Sequence, residues 1–163
     1  MRSEAEVNRA IDQYADMVRR VCFTYMKNFA DTEDIFQTVF LKYVLSCVEF
    51  ESEAHEKAWI LRVTINACKD VLKSFFRTKQ VSLDELIDYP AAEIEPHSDV
   101  LEAVLRLPAK YKDVVYLHYY EGYTAPEIAQ ILNKKVNTVY TLLSRAKRVL
   151  QKELGGEEEY AES

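Results

Sequence analysis

Between Thr124 and Leu150 the sequence permits little besides two short helices joined by a tight turn. Thr124 followed three residues later by Glu127 spells a capping box, and Pro126 between them suits a first helical turn, where a missing N–H goes unneeded. Ile128, Ala129 and Leu132 supply that helix with its apolar side. Asn133 then stands where the turn requires positive φ, a role usually taken by Gly but open to Asn. The next helix is expected to open at Asn137 or Thr138. Along it Val139, Leu143, Ala146 and Leu150 recur at helical spacing and would face a core, leaving Tyr140, Thr141, Ser144, Arg145, Lys147 and Arg148 outside. The arrangement predicts a helix-turn-helix.

Charge suggests what the outer face meets. From Asn133 to Lys152 the chain carries Lys134, Lys135, Arg145, Lys147, Arg148 and Lys152 and no acid, which favours nucleic acid. Asn137, Thr138, Tyr140, Thr141 and Ser144 could meet base edges in a groove while the cations hold phosphates. A basic C-terminal helix end, favourable to the helix dipole on its own account, is the alternative.

Only three glycines and four prolines occur, and none of the prolines precedes Pro90. Such a chain should be all-α. Its 163 residues divide best into two small helical domains: residues 1–76, a flexible linker 77–98 containing Pro90 and Pro96, a helix-turn-helix domain 99–154, and an acidic disordered tail 155–163. The formal charge of −6 is unevenly spread, at −2, −3, +3 and −4 over these four segments. The positive sign thus belongs to the helix-turn-helix segment alone.

In the first domain, Val7, Ala10, Ile11, Tyr14, Val18, Val21, Cys22 and Tyr25 trace one face of a helix. Asp31 looks like the N-cap of a second helix, with Ile35, Val39 and Tyr43 turned inward. Phe36 and Phe40 form a neighbouring stripe that either meets another molecule or packs on a third helix. Glu49 to Lys57 reads as a polar loop. The third helix, Ala54 to Phe76, would bury some combination of Ile60, Val63, Ala67 and Val71 and present Arg62, Asn66, Lys69 and Lys73 as a stripe that could grip a nucleic-acid strand or simply be solvated. In the second domain, Val100, Val104 and Leu107 resume the helical pattern, Pro108 opens a helix through Val114, Val115, Leu117 and Tyr119, and Gly122 closes it. Cys22, Cys47 and Cys68, odd in number and set among apolar residues, look like small buried hydrophobes. No signal peptide, long apolar span, metal-ligand spacing or catalytic His arrangement is present, so we expect a cytoplasmic protein, not an enzyme, without cofactor, metal or membrane anchor.

DTEDIFQTVFLKYV (Asp31 to Val44), AWILRVTINACKDVLK (Ala58 to Lys73) and the stretch from Leu107 to Leu150, in that order, closely resemble bacterial sigma factors of the extracytoplasmic-function group. The resemblance covers nearly the whole chain and implies a transcription initiation factor. Its first domain would bind core RNA polymerase through the clamp helices of the largest subunit, with Asp34, Gln37 and Phe40 matching a DxxQxxF segment. Trp59, Arg62, Asn66, Asp70 and Lys73 match the promoter-melting helix, beside which Lys69 completes the polar stripe. The Glu49 to Lys57 loop lies where the family captures an unstacked base of the non-template single strand. The second domain would read duplex promoter DNA upstream. An anti-sigma factor is a further partner the family brings with it. Three departures stand out: fewer cations than usual on the recognition helix around Tyr140 and Leu142, an unusually acidic melting loop, and Asn133 in place of the turn Gly. The rival reading is a stand-alone helix-turn-helix regulator whose N-terminal bundle dimerises or senses a ligand.

Overall fold

The computed structural model describes residues 1–26, 28–79 and 99–154, with the side chains of 75–79 and 99–101 excepted. The chain divides between Glu93 and Ile94 into two compact units. All regular structure among the described residues is helical. The expected linker from residue 80 onward and the acidic tail lie outside them.

Unit 1 is a bundle of α1 (Glu4–Met26), α2 (Phe29–Leu45) and α3 (Glu53–Lys79), each packed on the other two. Its centre is apolar: Val18 and Val21 of α1, Val39 and Tyr43 of α2, and Ile60, Leu61 and Ile65 of α3 are fully buried. Each contributes roughly 1.5–3 kcal/mol of transfer free energy. The α1 stripe is deeper than its sequence pattern indicates. Met17 and Met26 join the core, while Val7 and Ile11 are only half-buried.

Several boundaries differ from expectation for local reasons. Asn28, not Asp31, caps α2: its Oδ1 accepts from the Asp31 N–H at 2.9 Å while its Nδ2 donates to the Asp31 carboxylate at 2.8 Å. Asp31 is therefore the reciprocal partner inside the first turn. The Glu49–Lys57 segment is a loop only as far as Ser52, whose Oγ accepts from the His55 N–H at 3.1 Å and starts α3. At its other end α3 continues to Lys79, past the expected limit at residue 76, and its packing fades first: Val71 is exposed and Leu72 half-buried. Leu61, Thr64, Ile65 and Cys68, rather than Val63 and Val71, complete the buried side. Cys22 and Cys68 are buried with sulfurs 4.0 Å apart, but Cys47 is exposed.

One buried carboxylate joins the three helices. Glu56 of α3, 5% exposed, accepts from both terminal nitrogens of Arg9 on α1, at 2.9 and 2.7 Å, and from the Tyr43 hydroxyl of α2 at 2.8 Å. Burial alone would raise this carboxyl. The bonds from Arg9 and Tyr43, with the Arg9 charge and the neighbouring Tyr14 hydroxyl, outweigh it and hold Glu56 below the usual carboxylate range.

Unit 2 comprises α4 (Asp99–Leu105), α5 (Ala109–Val115), a π-helical turn Tyr116–Tyr120, α6 (Ala125–Leu132) and α7 (Val136–Leu154). The helices α4, α5 and α6 all lie against α7. The π turn is absent from the sequence reading. It swings Tyr119, expected to follow Leu117 inward, out to 60% exposure, and it ends at Gly122, whose φ of 81° lets the Tyr123 N–H reach the Leu117 carbonyl at 2.9 Å. His118 Nδ1 lies 2.8 Å from the Tyr123 carbonyl; a carbonyl only accepts, so Nδ1 carries the proton.

A group held below its unfolded pKa stabilises the fold above that value and loses the contribution as pH falls through the folded value. Acidification below the ordinary glutamate value of 4.5 should therefore lower the urea midpoint, and Glu56→Gln should flatten part of that slope. Glu56→Ala, which removes the carboxylate that pairs with Arg9 and leaves it Gln13 and the Tyr43 hydroxyl at a site open to water on the Arg9 side, should cost about 2 kcal/mol at pH 7. Urea titrations of the three proteins between pH 7 and pH 3 test both statements; identical slopes for wild type and Glu56→Gln would remove the carboxylate from the account.

Candidate nucleic-acid interface

The turn that orients α7 is built by backbone geometry. Thr124 caps α6, accepting from the Glu127 N–H at 3.3 Å, and the Glu127 carboxylate accepts from the Thr124 N–H at 2.9 Å. These bonds hold the Glu127 carboxyl below its usual range. Asn133 ends α6 at φ 54°, ψ 52°, and the next residue, Lys134, returns its N–H to the Ala129 carbonyl at 2.9 Å. Left-handed backbone at this one position ends α6 and lets the chain start α7 at Val136, one residue before the expected opening.

Val139, Leu142 and Ala146 are the buried residues of α7, with Leu143 and Leu150 half-buried. The inward row thus runs through Leu142 more than through Leu143. At 100° per residue, Asn137, Thr141, Ser144 and Arg148 form the stripe opposite that row, spaced i, i+4, i+7 and i+11. Thr138 and Arg145 lie on one flank, Tyr140 and Lys147 on the other. All eight are exposed, Tyr140 by 55%. In the turn, Lys135 is exposed and Lys134 half-buried. The Thr141 hydroxyl donates to the Asn137 carbonyl at 3.0 Å, so towards a base it is left with acceptor capacity. The far end of α7 is tied to α4 through Arg106, 3.5 Å from Glu102 and 3.1 Å from Glu153.

On α3 of unit 1, Arg62, Asn66 and Lys73 are exposed and Lys69 half-buried, and the four share one side of the helix. Trp59 stands a turn before them, half-buried, with its ring 5.7 Å from Phe50 and 6.1 Å from Tyr43, centre to centre. Phe50, near the end of the Ser46–Ser52 loop, also meets His55 edge-on at 5.3 Å. A half-exposed aromatic group thus adjoins a polar, largely cationic stripe, a pairing suited to stacking bases while tracking a backbone. Of the loop acids, Glu49, Glu51 and Glu53 are exposed, whereas Glu56 is turned inward onto Arg9.

On α2 the three singled-out residues separate. Asp34 and Gln37 are exposed, but Phe40 is 5% exposed and packs against Phe36, the ring centres 4.8 Å apart and the planes tilted by 50°. Phe36 in turn lies under the Arg19 guanidinium, 4.2 Å from the ring centre, and Arg19 binds Glu33 at 3.0 Å. Burial within the bundle therefore accounts for the aromatic stripe. The apolar groups beside Asp34 and Gln37 at the surface are Leu41 and Leu45, 59% and 60% exposed, which share their side of α2 at i+7 and i+11 from Asp34. Their sequence signal, two leucines out of phase with the Ile35, Val39, Tyr43 row, was available.

No helix among the described residues is long and apolar enough to cross a membrane. No group of three or more metal-ligating side chains converges among them either.

Arg145, on the flank of α7 about two turns from Asn137, separates two roles. As a base reader its removal should cost about 1–3 kcal/mol at one promoter position. As a phosphate clamp, the role expected of Lys147 and Arg148, its removal should weaken all sequences alike and lower the salt slope by about one. Binding of Arg145→Ala to a panel of single-base variants at several salt concentrations decides between them; with a reading role we expect the loss to concentrate at one position.

Two family profiles match the chain: Sigma-70 region 2 over residues 10–78 and Sigma-70, region 4 over residues 97–150. Relatives include the RNA polymerase sigma factor SigV of Bacillus subtilis strain 168, 30% identical over 142 residues that cover 85% of each chain. The ECF RNA polymerase sigma factor SigW of the same organism is 25% identical over 161 residues, 88% of this chain and 86% of the relative. Among solved structures, the sigma factor RpoE of Bartonella quintana, co-crystallised with the anti-sigma factor NepR, shares the fold with a TM-score of 0.71 at 18% identity, over 94% of this chain and 99% of that one.

Proposed function

From the premise that this chain belongs to the bacterial RNA polymerase sigma factors, in their extracytoplasmic-function group, we propose that it divides promoter recognition between its two units. The family's role is in transcription initiation, and it is that of an initiation factor, not an enzyme. On our reading, core RNA polymerase of the cytoplasm docks on the α2 side bearing Asp34, Gln37, Leu41 and Leu45. Carboxylate and amide would set charge complementarity and register, and the leucines would supply the apolar contact that Phe40, inside the bundle, supports from behind.

The single observation that carries the reading is the exposed outer side of α7: eight polar or basic side chains around an Asn137–Thr141–Ser144–Arg148 stripe, with no acid before Glu153. This helix is proposed to enter the major groove of the upstream element, with its N-terminal residues nearest the bases. Opening of the downstream element is assigned to the α3 stripe of Arg62, Asn66, Lys69 and Lys73 beside Trp59 and Phe50. Energy for opening would come from stacking unpaired non-template bases, worth about 1–3 kcal/mol each. An anti-sigma factor, like the one bound to the Bartonella protein, is proposed as the antagonist.

Run-off transcription on a promoter library tests this directly: the chain with bacterial core polymerase should initiate from a defined subset, and neither component alone should. Specific binding to duplex sites as a dimer, with no core-dependent transcript, would replace the proposal by a stand-alone regulator. Gln37→Ala with Leu41→Ala, both at exposed positions, should leave the fold intact and weaken core binding about tenfold. Unchanged affinity in a fluorescence titration would move the docking surface elsewhere.

A further inference from the structure

The α2–α3 connection carries Phe50 to Trp59 without any glycine, proline or left-handed residue to turn it. α2 ends at Ser46 in extended backbone, φ −70°, ψ 140°, where the Ser46 N–H donates to the Tyr43 carbonyl at 3.2 Å but no left-handed residue turns further N–H groups back onto the last carbonyls. Arg2 completes the cap from outside. Its backbone N–H donates to the Val44 carbonyl at 3.0 Å and its Nε to the Tyr43 carbonyl at 3.1 Å. Its Nη2 donates to the carbonyl of Val48, within the loop. The guanidinium carbon meanwhile lies 4.6 Å from the Tyr43 ring centre and 4.7 Å from that of Phe50, two rings within 5° of parallel. One side chain thus ties the end of α2, the middle of the loop and the aromatic residue the loop delivers. A guanidinium suits this task because its fork of donors and flat face act together, whereas an ammonium offers a point charge. A cation at a helix C-terminus is also electrostatically favoured.

We propose that Arg2 is a positioning residue for strand capture: it holds the Ser46–Ser52 loop in the form that keeps Phe50 against Trp59, so the aromatic group is preassembled when single-stranded DNA arrives. The inference rests on the assignment of promoter opening to unit 1. Its physical content is preorganisation. If the loop without Arg2 holds this form about a tenth of the time, capture weakens tenfold although every residue that touches DNA remains.

The test uses the full-length chain as Arg2→Ala and Arg2→Lys, alone and with core polymerase. Trp59 is the only tryptophan, so its emission reports locally on Phe50. In the free proteins both variants should shift that emission to the red and speed amide exchange across residues 46–52, while the thermal transition remains cooperative. In the holoenzyme, closed-complex affinity should be unchanged and the rate of promoter opening, followed by permanganate reactivity of unpaired thymines, should fall about tenfold with little dependence on salt. Recovery of opening by Arg2→Lys, with a salt-dependent loss in Arg2→Ala, would overturn the proposal and make Arg2 a phosphate contact. Unaltered emission and exchange in both variants would overturn it as well. Absence of core-dependent transcription by the wild type would instead defeat the assignment of function, and the emission and exchange results would still decide whether Arg2 orders the loop.

Discussion

Unit 1 is held in register by one buried carboxylate. Glu56 receives Arg9 from α1 and Tyr43 from α2, so the mutual positions of three helices are referred to one group at the start of α3. Apolar contacts between helices tolerate sliding by a fraction of a turn, because hydrophobic attraction has no direction. A two-pronged arginine–carboxylate contact and a hydroxyl bond do not, because their donors must aim at particular oxygens. Tyr43 transmits that constraint further. Its ring lies close to Arg2 and Trp59, and its carbonyl accepts from Arg2. The position of the aromatic group on which strand capture is proposed therefore follows from a polar network inside the bundle.

The unusually acidic segment takes on another meaning in this light. An acid close to a DNA strand repels phosphate unless neutralised, and four glutamates between Glu49 and Glu56 look ill suited to melting. One of them is withdrawn into the bundle and matched by Arg9. The remaining three stay exposed, on a unit whose formal charge is −2 over residues 1–76 against +3 for residues 99–154. On the proposed reading, phosphate attraction belongs to α7 and unit 1 holds bases more by stacking than by charge.

How much of this was legible in the sequence depended on whether the determinant was local. The capping box at Thr124 and Glu127, the left-handed Asn133 and the positive φ of Gly122 are set within a few residues, and each was readable. The all-helical class followed from the scarcity of Gly and Pro together with apolar periodicity. Long-range pairings were not readable. Glu56 resembled its solvated neighbours because its partners lie 47 and 13 residues away. Arg2 carried no signal at all, its targets lying more than forty residues on. Phe40 stood out as an aromatic in a motif, but whether an aromatic is anchor or core depends on what its neighbour Phe36 meets, and Arg19 covers that residue from another helix. The π turn at Tyr116–Tyr120 is a change of hydrogen-bond register that residue spacing does not encode, and it displaced Tyr119 from its expected side.

Local and long-range determinants are also divided between the two units. The surface proposed to read DNA on unit 2 lies along one helix, and the start of that helix is set by a turn of a few residues at Asn133. The surface proposed for unit 1 is assembled from Arg2, Tyr43, Phe50 and Trp59, drawn from the segment before α1, two helices and a loop, and exists only when the bundle is complete. A surface assembled in this way responds to any force on α2 or α3. Polymerase docking on the Asp34–Leu45 side of α2, as proposed, would act on the same helix whose last turn Arg2 clasps, giving core binding a short physical route to the aromatic group. In unit 2 the stripe lies on the single helix α7 and is not divided among elements in this way.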